Sequence, residues 1–435
     1  MAQKLDLAWG KEKIGVDLPA EWHVIGQMQP APIEAVADPA LEVARSLSEP
    51  VGMPRLSELA RAGMRVVIVM DDGSRPTPVG KLLPAVLYEL ARGGVTMENV
   101  TVVPALGLHR GMSEAEVAER LGRSLEGMRW ENPDCDDPAK LVQLGTTRRG
   151  SPVVVNKTVA EADLVVSIGC IEPHIIASFG GGYKNLFPGV AGRAMIANNH
   201  TLNCTPDTFN MVGQPVERNP MRLDLEEAGG MLKPPVFIIN AVLNSALQVV
   251  RVVSGHPVQA HRAGMAVSAS IYGAKIPRLA DVVITDSHPM DSDLRQGVKA
   301  LANTVRAVRP GGVVITLVRA EEGVGVFGLA NSKLPLGRKA LKLLAPVLVG
   351  LVPKLKRKGL GEEDRFFLYF ALQAMRRARL IMYGPTIPVE TQANLPFVEF
   401  VSRVEEAVRL AQQTVRGRAE VLVFPHGGST YPILD

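Results

Sequence analysis

Short runs of β-branched and aliphatic residues alternate with longer segments of helical periodicity along the chain. Strands are predicted at residues 65–70, 100–105, 163–168 and 236–240, and a helix at residues 80–92. Ser113 and Glu116 have the spacing of a capping box and predict a helix start. Residues 141–144 and 152–155 flank the turn sequence "GTTRRG" and predict a hairpin. This alternation predicts an α/β domain with a mostly parallel sheet.

A second series of the same kind begins near residue 275. It predicts strands at residues 281–285, 312–317 and 421–424, and helices at residues 295–309 and 401–415. The change between the two series falls between residues 260 and 275, so the predicted domains are 1–270 and 271–435. The expected fold class is α/β: two α/β domains with mostly parallel sheets and an active site in the cleft between them.

Composition excludes some classes of protein. The chain has 435 residues, a net charge of +4 and 46% hydrophobic residues, which is typical of a soluble globular protein. A dense basic patch with a recognisable nucleic-acid module is absent from the sequence, so we expect no nucleic-acid partner. The one basic cluster, "KLKRK" at residues 354–358, is typical of a solvated loop or helix face.

Cysteine usage and hydropathy indicate the compartment. Cys135, Cys170 and Cys204 are widely spaced and form no CxxC motif, so neither a disulfide framework nor a zinc knuckle is expected. The first residues, "MAQKLDLAWGKEK", lack the apolar core of a signal peptide. The longest apolar run, residues 343–353, is shorter than the roughly 20 residues that cross a bilayer, and it predicts a buried or lid helix. We therefore expect a cytoplasmic protein without a membrane partner.

Ionisable residues follow the predicted strands, where ligands bind in open α/β sheets. "DDGSRPTP" follows the first strand, "LGLHRG" with His109 the second, and "GCIEPH" with His174 the third. "DSHPMDSDLRQGVK", which contains Gln296 and Lys299, follows the strand at residues 281–285. The pattern predicts a site at this edge of the sheet.

Each of these residues also has a purely structural interpretation. Asp71, Asp72 and Gly73 are turn residues, although Arg75 beside them is suited to gripping a carboxylate or phosphate with two parallel hydrogen bonds. His109 and His174 are either structural histidines or an acid/base pair, because imidazole titrates near neutral pH. The sequence does not show whether the two histidines face each other.

The stretch "SFGGGYKNLFPG" combines three glycines with a lysine. Gly180, Gly181 and Gly182 would let the backbone approach a phosphate and point N–H groups at it. The spacing fits neither a Walker A loop nor a dinucleotide-binding fingerprint. Lys184 is then a phosphate cation, a Schiff-base amine or a surface lysine, and His200 either caps a helix or binds a metal. From these residues alone, we infer an enzyme for an anionic ligand with histidine acid/base chemistry.

The motifs "DDGSRPTP", "GLHRGMSEAE", "EPH…SFGGGYKNLFPGVAG", "NNH" and "RQGVK", taken together, resemble the lactate racemase family, the nickel-pincer-nucleotide enzymes. They keep the family's order and span about residues 65–300. The resemblance implies a nickel pincer nucleotide, a pyridinium-3-thioamide-5-thiocarboxylic acid mononucleotide with nickel, that is joined to Lys184 through a thioamide. It also implies that His200 is the protein ligand of nickel and that the cofactor supplies two sulfurs and a carbon.

The same resemblance implies roles for the remaining residues. Ser178 and Gly180–Gly182 would hold the cofactor phosphate, and Asp72 would contact the cofactor at its ribose. The substrate carboxylate would be held by Arg75 and Lys299, with Gln296 beside them. The implied domain roles are cofactor binding and catalysis for residues 1–270, and closure over the substrate for residues 271–435.

The implied reaction is the racemisation or epimerisation of a 2-hydroxy acid through a hidden redox step. His109 or His174 takes the proton of the substrate hydroxyl while the C2 hydride moves to the cofactor pyridinium. The hydride then returns to either face of the bound keto acid. Two bases suit a racemase because both enantiomers must be deprotonated in turn. In this family the cofactor carries the chemistry, and the protein orients and polarises the substrate and excludes water.

Two departures from the family pattern bear on the substrate. Lactate-specific members carry a tyrosine just before the matched glutamine, where this chain has Arg295. They also place a tryptophan of the second domain near the substrate, whereas the tryptophans here are Trp9, Trp22 and Trp130. If Arg295 is not simply a solvent-facing helix residue, its charge favours a 2-hydroxy acid that is larger or more acidic than lactate.

Two other functions remain open at this stage. One is a nickel-nucleotide binding or storage protein without racemase activity, which would need only Lys184 and His200. The other is a divalent-metal hydrolase or lyase that acts on a phosphorylated ligand. We also expect a transient contact with the proteins that synthesise the cofactor. The sequence leaves the oligomeric state open.

Overall fold

The computed structural model describes residues 3–122, 126–325, 327–354 and 361–434, without the side chains of residues 362 and 363. The chain divides into two compact units. The central unit comprises Pro32–Leu202 and Pro215–Ile271, and the terminal unit comprises Met1–Ala31, Asn203–Gln214 and Tyr272–Asp435. The sequence-based boundary at residue 270 lies next to the point where the chain passes from the central to the terminal unit. Residues 1–31 and 203–214, which the sequence-based division assigns to the first domain, cluster with the terminal unit.

Strands and helices alternate over most of the chain. The strands are β1 (Gln3–Trp9), β2 (Glu12–Leu18), β3 (Trp22–Gln27), β4 (Val66–Asp71), β5 (Val100–Ala105), β6 (Arg129–Trp130), β7 (Leu141–Thr146), β8 (Pro152–Asn156), β9 (Leu164–Cys170), β10 (Pro173–His174), β11 (Ser178–Phe179), β12 (Val236–Leu243), β13 (Val249–Gly255), β14 (Gly273–Lys275), β15 (Ala280–Asp286), β16 (Val308–Leu317), β17 (Arg379–Tyr383), β18 (Glu399–Val401), β19 (Ala419–Phe424) and β20 (Tyr431–Ile433). The helices are α1 (Pro39–Ser48), α2 (Leu56–Leu59), α3 (Val79–Arg92), α4 (Glu114–Leu121), α5 (Lys157–Ala160), α6 (Arg193–Thr201), α7 (Pro220–Gly229), α8 (Gln259–Tyr272), α9 (Leu294–Thr304), α10 (Arg338–Leu351), α11 (Glu362–Arg377), α12 (Val389–Asn394) and α13 (Val404–Thr414).

The central unit is built on a six-stranded sheet in the order β13-β12-β9-β4-β5-β6. Its pairings are parallel except that of β12 with β13. Every residue of β4, β9 and β12 is buried, which is why these strands are continuous apolar runs rather than alternating ones. Helix α3 buries Leu82, Leu83, Val86 and Leu90, spaced along one helical face, in the core against this sheet.

The terminal unit contains a second six-stranded sheet, in the order β18-β17-β16-β15-β19-β3. All of its pairings are parallel. Strand β3 comes from the first residues of the chain and pairs with β19 near its end. The N-terminal segment therefore completes the sheet of the terminal unit. Both units confirm the expected α/β class with mostly parallel sheets.

Each sheet has a switch point, where successive strands are added first on one side of an earlier strand and then on its other side. In the central unit, β4 leads to β5 and β6 on one side, and β9 lies on its other side. In the terminal unit, β15 leads to β16 on one side, and β19 lies on the other. Ligands of open α/β sheets bind beyond the carboxyl ends of strands at such switch points. The residues that follow β4 and β9 are therefore the first place to look for a site.

Most sequence-predicted elements are confirmed within a few residues. Strand β5 has the predicted bounds, and the capping box forms with Oγ of Ser113 accepting from the Glu116 amide. The predicted helix at residues 295–309 is shorter, because α9 ends at Thr304 and a 3-10 turn leads into β16.

The apolar run at residues 343–353 was expected to be a buried or lid helix. The prediction that it is buried is wrong for most of its side chains. Leu341 and Ala345 of α10 are buried, whereas Leu343, Val347 and Leu351 are exposed. Among the described residues, no helix is both long and apolar enough to cross a membrane.

Candidate active site

Asp71, the last residue of β4, joins the ends of two neighbouring strands. Its buried Oδ2 accepts hydrogen bonds from Thr77 Oγ1 at 2.5 Å and from the amide of Cys170 at 3.1 Å. Burial raises the pKa of this carboxyl, which the Thr77 hydrogen bond and the charge of Arg75 only partly offset. Asp71 therefore fixes the spacing between the loops that follow β4 and β9.

Asp72 is the acceptor of a compact hydrogen-bond cluster. Its Oδ1 accepts from Oγ of Ser74 at 2.5 Å and from the Ser74 amide at 3.2 Å, and its Oδ2 lies 2.6 Å from Nδ1 of His109. Although burial opposes ionisation, the hydrogen bonds of His109 and Ser74 and the charges of His109 and Arg75 lower the pKa of Asp72 to about 2. The sequence-based role for Asp72, a contact with the cofactor ribose, stays a prediction beside these protein partners.

The contact with Asp72 determines which nitrogen of His109 carries the proton. An ionised carboxylate can only accept, so Nδ1 of His109 must be the N–H donor. In the neutral ring, Nε2 then holds the lone pair. His109 therefore has the tautomer of a general base, oriented by a carboxylate as in the histidine–aspartate pairs of hydrolases.

His174, in the short strand β10, has the opposite tautomer. Its Nδ1 accepts hydrogen bonds from the amides of Ile176 at 3.2 Å and Ala177 at 3.1 Å. Because backbone N–H groups only donate, Nδ1 must hold the lone pair and Nε2 the proton in the neutral ring. His174 therefore has the tautomer of a hydrogen-bond donor at Nε2.

Arg75 is held by a carboxylate that sequence reasoning missed. Its Nη1 lies 2.5 Å from Oε1 of Glu172, and both side chains are largely buried. Burial would lower the pKa of Arg75, but the charges of Glu172 and Asp71 raise it, so the guanidinium remains charged. Arg120 supports the same loop by donating to the carbonyls of Asp71 and Arg75. Glu172 lies two residues before His174 in "EPH", and this proximity in the sequence could have predicted that it belongs to the site.

The glycine run takes a backbone path that side chains would obstruct. Gly181 and Gly182 have φ values of 76° and 64°, in the left-handed region that favours glycine. A Cβ at Gly181 would lie 2.7 Å from Oδ1 of Asn240, and one at Gly182 would lie 3.1 Å from the His261 ring. Close packing of this loop therefore explains the glycines without a ligand.

The amides of this loop were expected to point at a phosphate, and two of them have partners within the protein. The Gly180 amide donates to the Glu172 carbonyl at 2.8 Å, and the Gly182 amide donates to Oδ1 of Asn240 at 2.8 Å. Ser178 is fully buried, and its Oγ accepts from Nδ2 of Asn219 at 2.9 Å. A direct phosphate contact by these groups stays a prediction.

Two buried basic side chains hold the carbonyls of the same loop. Arg222 is fully buried and donates to the carbonyls of Ala177, Phe179 and Gly181. His261 donates from Nε2 to the Gly180 carbonyl at 2.8 Å, and burial together with the charge of Arg222 lowers its pKa well below the ordinary value. Sequence reasoning missed both residues, because they lie on α7 and α8, away from any strand end.

Lys184 lies in the 3-10 turn Gly182–Asn185 that follows the glycines, and it is largely buried. Burial lowers the pKa of its amine to about 7, the charge of Arg75 acts in the same direction, and Asp71 opposes it. A substantial fraction of Lys184 is therefore an uncharged amine near neutral pH. Such an amine is a nucleophile, which an ordinary surface lysine is not at that pH.

His200 is buried within α6 rather than capping it. Its Nδ1 lies 2.8 Å from the carbonyl of Ile196, which can only accept, so Nδ1 carries the proton. Nε2 then holds the lone pair that a metal ligand needs, and the Nδ1 hydrogen bond fixes the ring. Among the described residues, no group of three or more His, Cys, Asp or Glu side chains could hold a metal ion.

The remaining site candidates lie in the terminal unit, on α9. Asp293 caps this helix by accepting from the Gln296 amide at 2.8 Å, and Nζ of Lys299 lies 3.7 Å from Sδ of Met290. Gln296 and Lys299 are three residues apart and share a helical face, with Arg295 in the first turn. The terminal unit thus contains Arg295, Gln296 and Lys299. The central unit contains the other candidates, which are Asp72, Arg75, His109, His174, Ser178, Gly180–Gly182, Lys184 and His200.

The fold and the site define an α/β protein with a cluster of ionisable side chains at the switch point of its central unit. The family model described as "Lactate racemase N-terminal domain" matches residues 9–210. The chain is 28% identical over 439 residues to a lactate racemase from Thermoanaerobacterium thermosaccharolyticum, covering 98% of each protein. It is also 28% identical over 298 residues to a lactate racemase from Lactiplantibacillus plantarum, covering 67% of this chain and 68% of that one.

Solved structures agree with these matches. The lactate racemase apoprotein from Thermoanaerobacterium thermosaccharolyticum superposes with a TM-score of 0.83 at 26% identity, covering 99% of this chain and 100% of that one. A Thermotoga maritima protein with a TM-score of 0.65 at 17% identity, covering 92% of this chain and 99% of its own, shares the fold. The sequence and structure comparisons thus both support the lactate racemase family, which the motifs of the chain resemble.

Proposed function

We propose that this protein is a racemase or epimerase of a 2-hydroxy acid that uses a nickel pincer nucleotide linked to Lys184. Its relatives are named lactate racemases, which supports the reaction class. The observation that carries the proposal is the opposite protonation of two histidines in the central unit. Nδ1 of His109 donates to Asp72, whereas Nδ1 of His174 accepts from two amides. One ring is thus prepared to take a proton and the other to donate a hydrogen bond.

The residues present fit the proposed cofactor. The amine of Lys184, with a pKa of about 7, can be acylated near neutral pH, as a thioamide link requires. The Nε2 lone pair of His200 suits a metal, and the proposal takes the other donors from the cofactor. The glycine run has no side chains to keep a phosphate away from the backbone. When bound, the cofactor would accept the C2 hydride of the substrate and return it.

The protein's own groups would bind the acid and move its hydroxyl proton. His109 would accept this proton at Nε2, and Asp72 would stabilise the resulting imidazolium. His109 would return this proton when the hydroxyl re-forms, while His174 would donate a hydrogen bond from Nε2 to the substrate oxygen. Arg75 would hold the carboxylate through paired hydrogen bonds, and Lys299 and Gln296 are proposed as further ligands of the carboxylate.

The proposed substrate is larger or more acidic than lactate. The support is Arg295 in the first turn of α9, one residue before Gln296. A cation there favours a second carboxylate or another polar group of the acid. The rate of racemisation would be measured by chiral chromatography for a panel of D-lactate, malate, 2-hydroxyglutarate and sugar acids. We expect Arg295→Tyr to shift preference towards lactate. Wild-type racemisation of D-lactate far above all the others would exclude this substrate class.

Mass spectrometry tests the cofactor directly. The protein would be produced together with cofactor-synthesis proteins, and intact and peptide masses would be measured. We expect an adduct on the Lys184 peptide that contains nickel and two sulfurs, and racemase activity only in that preparation. Lys184→Arg keeps the charge but should carry no adduct. Activity of protein without nickel or adduct would support a different enzyme, and an adduct without isomerisation of any 2-hydroxy acid would support a storage protein.

A further inference from the structure

Helix α10 of the terminal unit presents a continuous apolar stripe to solvent. Leu343, Val347 and Leu351 are 80%, 63% and 52% exposed, and Leu344 beside them is 40% exposed. The first three are four residues apart, so they lie along one side of the helix. The opposite side buries Leu341 and Ala345, and the helix packs on α11. A single exposed leucine needs no explanation, but a stripe of this length indicates a binding surface.

The segment around this stripe is strongly basic. Residues 332–361 contain eight Lys and Arg residues and no Asp or Glu. Because the whole chain has a net charge of only +4, the rest of it carries a net charge of −4. Lys339, Lys342 and Lys354 are exposed at α10 or just after it, whereas Arg338 pairs with Glu399. The apolar stripe therefore lies in a region of the chain with a large positive excess.

These two features together select the kind of partner. A second copy of the chain would bring two basic segments together around the apolar contact, which like-charge repulsion disfavours. An anionic lipid surface satisfies both features, because apolar side chains enter the boundary of the acyl chains while lysines contact the headgroups. A helix of 14 residues is only about 21 Å long, too short to cross the roughly 30 Å of a hydrocarbon core.

We propose that α10 is a membrane-surface helix that binds anionic lipid bilayers, lying in the plane of the interface. Leu343, Val347 and Leu351 enter the bilayer, and Lys339, Lys342 and Lys354 contact the headgroups. This inference concerns where the protein works, and it is independent of the reaction proposed for the central unit. It replaces the sequence-based expectation of a protein without a membrane partner.

Vesicle flotation of the full-length protein tests the proposal. The two probes are vesicles of phosphatidylcholine alone and vesicles that also contain phosphatidylglycerol. We expect binding to the anionic vesicles only, and weaker binding as salt concentration increases. Leu343→Glu with Val347→Glu should bind at least about tenfold more weakly, because burial of these side chains drives insertion. Lys339→Glu with Lys342→Glu should also bind more weakly.

Matched controls separate this helix from general surface effects. Val389, the first residue of α12, is 78% exposed, so Val389→Glu is the control for Leu343→Glu alone, with one new negative charge at another exposed apolar position. Lys81→Glu does the same for an exposed lysine of α3. Both controls should bind vesicles like wild type, and circular dichroism should show that all variants are folded.

Three outcomes would overturn the proposal. The first is wild-type protein that does not bind phosphatidylglycerol vesicles. The second is equal binding by the stripe variants and the controls. The third is a lipid-free dimer, seen by light scattering, that the double variant of Leu343 and Val347 separates while vesicle binding is absent. In that last case the stripe is an interface between copies of the chain.

Discussion

Nδ1 of His109 lies 2.6 Å from Oδ2 of Asp72, and this contact fixes the proton of the imidazole on the nitrogen that faces the carboxylate. Asp72→Asn can present an amide N–H to the ring and so favour the other tautomer. We expect the kcat of the loaded enzyme to fall about 10²- to 10⁴-fold, by analogy with other histidine–aspartate pairs. KM should change little, since Asp72 is not proposed to bind the substrate. Steady-state kinetics on protein with equal adduct occupancy measures both constants.

Ser74→Ala is the matched control for this prediction. Ser74 donates from its Oγ to Oδ1 of the same carboxylate at 2.5 Å, whereas His109 contacts Oδ2. Its removal should leave the His109 tautomer intact and reduce kcat by less than about tenfold. If Ser74→Ala and Asp72→Asn reduce kcat equally, orientation of His109 is not the role of Asp72.

Glu172 already forms an ion pair with the guanidinium of Arg75, which is proposed to bind the substrate carboxylate. Its Oε1 lies 2.5 Å from Nη1 of Arg75, so a substrate carboxylate must compete with a carboxylate already in place. Glu172→Gln replaces the competing charge with a neutral group of the same shape. We expect KM to fall about fivefold, which corresponds to about 1 kcal/mol, with kcat nearly unchanged.

Asp163→Asn is a suitable control, because it removes a carboxylate from the exposed pair with Arg65 in the same unit. It should not change KM. An increase in KM for Glu172→Gln would contradict competition and would show instead that Glu172 is needed to orient Arg75.

Local patterns in the sequence were sufficient to find several strands of both sheets and the polar residues that follow them. Continuous apolar runs gave β4 and β9, and the polar residues after them included Asp72 and His174. The partners of these residues were harder to predict. Asp72 and His109 are 37 residues apart, and Arg75 and Glu172 are 97 residues apart. Such contacts depend on strand order and register, which periodicity does not encode.

The missed features share this long-range origin. Pairing of β3 with β19 joins the two ends of the chain, so no local pattern could place the N-terminal segment in the terminal unit. Arg222 appeared to be an ordinary helical arginine, and only the path of the glycine loop turns it into a buried donor. The exposure of Leu343 was missed for a related reason, since apolarity indicates burial only when a partner surface is available.

Arg222 should be as important for stability as for the site. It is fully buried and donates to the carbonyls of Ala177, Phe179 and Gly181, and burial lowers its pKa only to about 10, so it stays charged. Arg222→Met would remove these buried hydrogen bonds, although the carbonyls of Ala177 and Gly181 also accept from the amides of Phe179 and Lys184. We expect the free energy of unfolding to fall by about 3 kcal/mol or more, measured by urea denaturation of the apoprotein.

Arg148→Met provides the comparison for Arg222. Arg148 is 91% exposed and pairs with Glu227 at 3.4 Å, so its removal should cost less than about 1 kcal/mol. Equal losses for the two variants would show that the buried hydrogen bonds of Arg222 contribute little beyond those of a surface arginine.

The buried amine of Lys184 should make the stability of the apoprotein depend on pH. Its pKa is about 7 in the folded protein and 10.5 in the unfolded chain. Between these values the unfolded chain binds more protons, so the free energy of unfolding rises with pH, by at most about 1.4 kcal/mol per pH unit. Lys184→Met removes this dependence and should be more stable than wild type at pH 6.5. Urea denaturation at pH 6.5, 7.5 and 8.5 gives the free energy of unfolding of both proteins. The contributions of the other titrating groups cancel in the difference between the two proteins at each pH. Parallel curves for the two proteins would mean that Lys184 keeps an ordinary pKa and is not an activated amine before the cofactor is attached.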